Sequence, residues 1–217
     1  MRYRRPAKTP PVAPGAGGNA GAPIFTAAGV FLAVAPFLAP ALGSGAFISR
    51  DTGRMHAPMK HWIASELRLG RLPEWNPYFG LGTPVAANAI DSVQHPFNTL
   101  RLLSPQEGLK LWILLCYLLA GWGALWWGRS VGLPWAAAGV TGIAFALSGP
   151  LVSSSDNVTY LTSYAALPLA FAGAQRWVDG RGRRWLVSVA GAIALCAAGG
   201  DPLGGWALAG RRNRASP

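Results

Sequence analysis

Acidic residues are scarce in this chain. Eight Asp and Glu stand against 19 Lys and Arg in 217 residues, a formal net charge of +11. Charge of either sign is also short, at 12%, where soluble domains carry about 25%. Two cysteines, Cys116 and Cys196, supply neither a disulfide framework nor a CxxC metal site. Each lies inside an apolar run and is expected as a small buried residue. There is no internal repeat. The basic excess is not interleaved along one exposed face, as a nucleic-acid surface requires, so nucleic acid is excluded as a partner. The basic residues sit instead at the ends of apolar runs, the arrangement that orients membrane helices.

Apolar character is abundant: 51% of residues are hydrophobic, with 10 Trp and 28 Gly. Trp gathers at bilayer interfaces, and Gly is commoner in membrane helices than in soluble ones. The expected class is an all-α, multipass transmembrane helical bundle with the lipid bilayer as its surroundings. Residues 1–23, rich in Pro, Gly and Ala, are expected as a disordered cytoplasmic tail, with Arg2, Arg4, Arg5 and Lys8 holding it inside. A cleaved signal peptide is the rival reading, but the apolar run begins late and is long. The membrane domain is expected over 24–200, with spans at about 24–48, 109–128, 135–152, 158–175 and 185–198, each judged against the roughly 20 residues a bilayer core needs. Residues 201–217 form an irregular basic tail, where a truncated or frame-altered end is expected and a naturally short protein is the alternative. With the N-terminus inside, the turns carrying Arg129 and Arg176 to Arg184 are also inside. The loop 49–108 is then outside, as are Asp51, Asp156 and Asp201.

Within that loop the stretch Arg50 to Leu103 concentrates titratable groups: Asp51, Glu66, Glu74 and Asp91, and all three histidines, His56, His61 and His95. Pro58 opens a short helix, with Met59, Trp62, Ile63 and Leu67 on one face and Lys60, His61, Ser65 and Arg68 largely elsewhere. This is the pattern of a helix lying on the membrane, stopped by Gly70. From Leu72 to Pro84, repeated Pro and Gly fix a turn-rich path. Asp51, at the outer end of the first span, is either an interface residue paired with Arg50 or Arg54 or a general base for an acceptor hydroxyl. His56 and His61 are five apart, not the i, i+4 spacing of a helical metal pair. With Asp51 they can form a metal or acid–base cluster, and solvated interface histidines are the plain alternative. Trp75 and Tyr78 suit either headgroup anchoring or stacking on a sugar. The sequon Asn157-Val158-Thr159 lies too close to a span to signal glycosylation.

The string Gly70-Arg71-Leu72-Pro73-Glu74-Trp75-Asn76-Pro77-Tyr78, with Gly80, Gly82-Thr83-Pro84 and His95-Pro96-Phe97-Asn98, resembles the first external loop of bacterial YfhO-like membrane proteins, in the wider GT-C glycosyltransferase group. Asp51 after the first span, Asp156 before a later one and Gly200-Asp201-Pro202 resemble further family positions, although the family often has Gly-His-Pro at the last. The likeness covers about residues 24–203, the N-terminal part only of a family module of about a dozen spans. It implies transfer of a sugar from a polyprenyl-phosphate donor to an envelope glycan or lipid acceptor, on the outer face of the bacterial cytoplasmic (inner) membrane. On it Asp51 is the catalytic base. The substrate-binding candidates are His56, His61, Trp75, Asn76, Tyr78, His95 and Asp156. No metal ligand is assigned, and the cofactor is left open because some relatives use a divalent metal. The alternatives are a non-catalytic membrane subunit or scaffold, and a transporter fragment with Asp51 or Asp156 on a solute path.

Overall fold

The computed structural model describes residues 22–42, 51–102 and 105–201. The expected N-terminal tail up to residue 21, the end of the first span beyond residue 42, and the basic tail after Asp201 lie outside the described residues. What is described is mostly helical: α1 (Ala22–Leu42), α2 (Ala57–Arg68), α3 (Pro105–Ser130), α4 (Trp135–Ala146), α5 (Gly149–Ser153), α6 (Val158–Val178) and α7 (Leu186–Ala198). Among the described residues one two-stranded ladder pairs β1 (Trp75–Asn76) antiparallel with β2 (Thr83–Pro84).

Three of the five expected spans appear as helices within a few residues of their expected limits, α3, α6 and α7, and α1 begins within two residues of the expected start of the first. The third, expected unbroken over 135–152, is divided. Proline lacks an amide hydrogen, and its ring clashes with the carbonyl four residues earlier. Pro150 therefore ends α4 at Ala146 and restarts the chain as α5, with Ser148 extended at ψ 149°. Pro168 stays inside α6, where a neighbouring helix packs directly on it. Asn157 caps the start of α6, its Oδ1 accepting from the amides of Thr159 at 3.1 Å and Tyr160 at 3.5 Å, which satisfies donors that the first turn leaves open.

Close glycine contacts set the helix directions. A Cβ on Gly142 would lie 2.7 Å from the Gly121 carbonyl, and one on Gly121 would lie 2.9 Å from Val30. These contacts bring α3 against α4 and α1. Gly123 faces Pro168 and Leu169, and Gly173 faces Trp185 and Ser188, joining α3 to α6 and α6 to α7. Ala138, Gly142 and Ala146 recur every fourth residue along α4, the small-xxx-small pattern by which helices in membranes approach closely. The paired positions make α1, α4 and α7 run one way and α3 and α6 the other. One end therefore gathers the start of α1 with the turns 131–134 and 179–185. The other gathers the loop from Asp51 to Leu102, the α4–α6 connection and the end of α7. The largest apolar cluster joins Val34, Trp112, Ile113, Cys116, Tyr117, Leu151, Val158 and Leu161 just beneath the loop. Cys116 and Cys196 are both buried.

Among the described residues two helical segments are long and apolar enough to cross a membrane, Glu107–Ser130 and Trp135–Asp156.

Candidate active site at the loop end

The loop is a packed cap over the helix ends. It opens with a tight π-helical turn, Thr52–His56, and continues into α2. The Thr52 hydroxyl donates to the carbonyl of Asp156 at 2.5 Å, tying residues 104 positions apart. α2 forms as its Pro58 and Gly70 signals predict, with Gly70 taking φ +70° just after the last turn. Its buried face differs from the sequence expectation. Lys60, Ile63 and Ala64 are buried while Met59, Trp62 and Leu67 are only partly so. The buried stripe follows i, i+3, i+4 from Lys60, because the helix packs on α3 and on the 3-10 segment Pro96–Leu102 of the same loop. A lysine stands at the centre of that stripe, so hydrophobicity alone misses it.

Lys60 is the residue around which the cap is built. Its side chain is fully buried, its Nζ donates to the carbonyl of Asp91, and it lies 4.8 Å from the Trp112 ring centroid. His95 stacks on the same indole at 4.6 Å with planes 13° apart, and Phe97 meets it edge-on. His95 Nδ1 accepts from the Phe97 amide at 3.1 Å. Burial, reinforced by the Lys60 charge, pushes the His95 pKa down to about 4. His56 is buried and shifted downward, first by desolvation and then by Lys60, against the opposing pull of Asp51, Asn157 and Asp156. The Asp91 carboxyl is shifted upward by desolvation, with Lys60 acting in the opposite sense. The cap is locked to α7 by Ser92, whose hydroxyl donates to the Gly199 carbonyl at 2.7 Å. Ser92 itself holds a left-handed φ of 52°, a conformation uncommon outside glycine. Gly200 approaches Ala89 so closely that no side chain fits between them.

The sequence candidates divide into two groups. Asp51, His56 and Asp156 come together at the start of the cap: Asp51 is exposed, His56 is buried behind it, and both carboxylates act on that imidazole. His95 belongs to the same cap on the Lys60–Trp112 side. The remaining candidates lie on the surface hairpin and the outer face of α2. Trp75 and Tyr78 are exposed, as is His61. Trp75 covers Gly82, where a Cβ would sit 2.5 Å from its Nε1. Asn76 is buried and structural: its Oδ1 accepts from the Tyr78 amide at 2.9 Å and its Nδ2 approaches the Met59 sulfur at 3.4 Å. Lys60, Trp112 and Asn157 were not singled out from the sequence. The sequence carries no local signal for Lys60, because its burial rests on Trp112, far along the chain.

Buried polar atoms without a protein partner gather here. Among the described residues they include His56 Nε2, His95 Nε2, Asn98 Oδ1 and Thr159 Oγ1, where folded proteins normally satisfy nearly all such groups. No group of three His, Cys, Asp or Glu among the described residues is arranged to hold a metal ion. Chemically, the exposed Asp51 beside a buried, neutral imidazole can accept a proton from a hydroxyl brought to the cap. No family model matches the chain, no curated protein matches it, and no solved structure matches it.

Proposed function

We propose that the chain is a multipass membrane protein of GT-C type whose loop end lies outside the cytoplasm and takes part in moving a sugar from a polyprenyl-phosphate donor to an extracytoplasmic acceptor. The membrane reading is supported by α4 and α5, since only 28% of the apolar window in Trp135–Asp156 is buried inside the molecule. Apolar side chains facing outward over that length need lipid or protein around them. The small-residue helix contacts support it further. The orientation is supported by charge: Arg129, Arg176, Arg181, Arg183 and Arg184 all belong to the end opposite the cap.

One observation carries the site: the Thr52–Asp156 bond, which holds Asp51 and His56 against the start of α6. Two carboxylates and an imidazole from distant parts of the chain thus share one end of the bundle. In this reading Asp51 removes the acceptor proton, His56 and Asp156 hold the approach, and Trp75 and Tyr78 offer open aromatic faces for sugar rings. Membranes carrying the wild-type chain or Asp51→Asn, supplied with labelled polyprenyl-phosphate sugars, test it. Loss of transfer by on the order of a hundredfold or more, as expected for a removed general base, with normal membrane insertion supports the enzyme. Equal transfer overturns it. The burial of His56 and His95 favours the second reading, a non-catalytic scaffold, and transfer no greater with the wild-type chain than in membranes lacking it would support that one.

A further inference from the structure

The opposite end of the bundle carries a second feature, independent of sugar transfer. A crevice of about 370 Å³ opens among α1, α3, α4 and α6, lined by apolar groups including Ala27, Leu119, Trp122, Trp126, Trp135 and Leu169. Its size is in the range of small-molecule sites. Two of its lining tryptophans, Trp135 and Trp126, each have a guanidinium group stacked on the ring. Arg129 lies 4.4 Å from the Trp135 ring centroid, and Arg176 lies 4.9 Å from that of Trp126 and 4.3 Å from that of Trp185.

Both arginines are held in place. Arg129 donates to the Leu133 carbonyl, and Arg176 Nε donates to the Ser130 hydroxyl at 2.9 Å. Arg129 and Arg181 both lie within electrostatic reach of Arg176. Among the described residues neither Arg129 nor Arg176 pairs with a carboxylate, and the nearby Asp179 accepts from the Gln175 amide at 3.0 Å. Like charges fixed side by side repel unless an anion lies between them. Guanidinium groups match phosphate oxygens especially well.

We propose that this crevice binds an anionic phospholipid from the leaflet at that end, with one acyl chain against Trp122, Trp126 and Leu169 and the phosphate at Arg129 and Arg176. The inference shares with the proposed function only the premise that the bundle sits in a bilayer. A free phosphate would leave the apolar crevice unfilled, and a zwitterionic lipid would bring its own cation to the arginines.

Phosphatidylglycerol and phosphatidylcholine, titrated onto the detergent-purified full chain and read by native mass spectrometry, test it. Wild type is expected to prefer phosphatidylglycerol by about tenfold, the size of one charge-assisted contact. Arg129→Gln with Arg176→Gln removes the preference, and Arg129→Lys with Arg176→Lys retains most of it. Ala27→Phe, which fills the crevice, weakens both lipids. On wild type, short-chain phosphatidic acid competes and inorganic phosphate does not, a readout that needs no variant to fold. Equal binding of the two lipids, competition by inorganic phosphate alone, or unchanged phosphatidylglycerol binding in a folded Ala27→Phe protein overturns the proposal. Asp51→Asn leaves lipid binding intact whatever its effect on sugar transfer, so the two readings fail separately.

Discussion

At the scale of single residues, His95 links the cap to pH. Its folded pKa is about 4 against an ordinary 6.5, so between these values the unfolded chain binds the proton more readily than the folded one. The stability it contributes is complete above pH 6.5 and is lost as pH falls towards 4, reaching on the order of 3 kcal/mol at most. His56, also shifted downward, acts in the same direction, whereas Asp91, shifted upward, acts in the opposite one. His95→Asn leaves an acceptor near the position of Nδ1 and removes the titration. Thermal unfolding in detergent between pH 7.5 and 4.5 should show a steeper loss for wild type than for His95→Asn; parallel curves would mean that His95 is protonated at no cost in the folded cap. This environment was only half visible in the sequence. Asp51, His56 and Asp156 could be picked out because charged groups are conspicuous beside apolar runs. Lys60 could not, because its burial depends on Trp112, some fifty residues away, and a lysine in a short amphipathic helix is ordinarily placed on the wet face.

At the scale of elements, glycine spacing decides how closely helices approach. Gly142 faces the Gly121 carbonyl at a distance no Cβ tolerates, whereas Gly191 in α7 has nothing within 4 Å. Gly142→Ala should therefore separate α3 from α4 and destabilise the protein by about 1–3 kcal/mol, the usual cost of overpacking. Gly191→Ala should be neutral or stabilising by up to about 1 kcal/mol through helix propensity. Melting temperatures of the two variants in the same detergent decide the matter, and an equal loss in both would show that the α3–α4 contact is not close. Helix limits were legible because charge and proline punctuate the apolar runs: α3 and α6 end at Arg-bearing turns, and α7 begins after one. The break between α4 and α5 was missed for a local reason. A span long enough for a bilayer looks continuous by hydropathy, while the clash of Pro150 with the Ala146 carbonyl is a backbone effect that hydropathy does not register.

At the scale of the whole molecule, alternating helix directions make the two ends different in kind. One carries the cap with Asp51, His56, Asp91, His95 and Asp156; the other carries Arg129, Arg176, Arg181, Arg183 and Arg184 among tryptophans. An excess of arginine on one side is what orients membrane proteins, so the cap should face away from the cytoplasm. Ala87 and Ser153 are exposed at the cap end, and Val131 is exposed at the arginine end. The natural thiols, Cys116 and Cys196, are both buried and should give little background. Single cysteines placed at Ala87 and Ser153 are therefore expected to react with a membrane-impermeant maleimide in intact cells. One at Val131 should react only after the membrane is opened. Because Thr52 ties the loop to Asp156, Ala87 and Ser153 must behave alike. Labelling of one without the other would separate the loop from the α4–α6 connection and dissolve the site. Labelling of both only after permeabilisation would keep the site intact but turn it towards the cytoplasm, where an extracytoplasmic acceptor cannot reach Asp51.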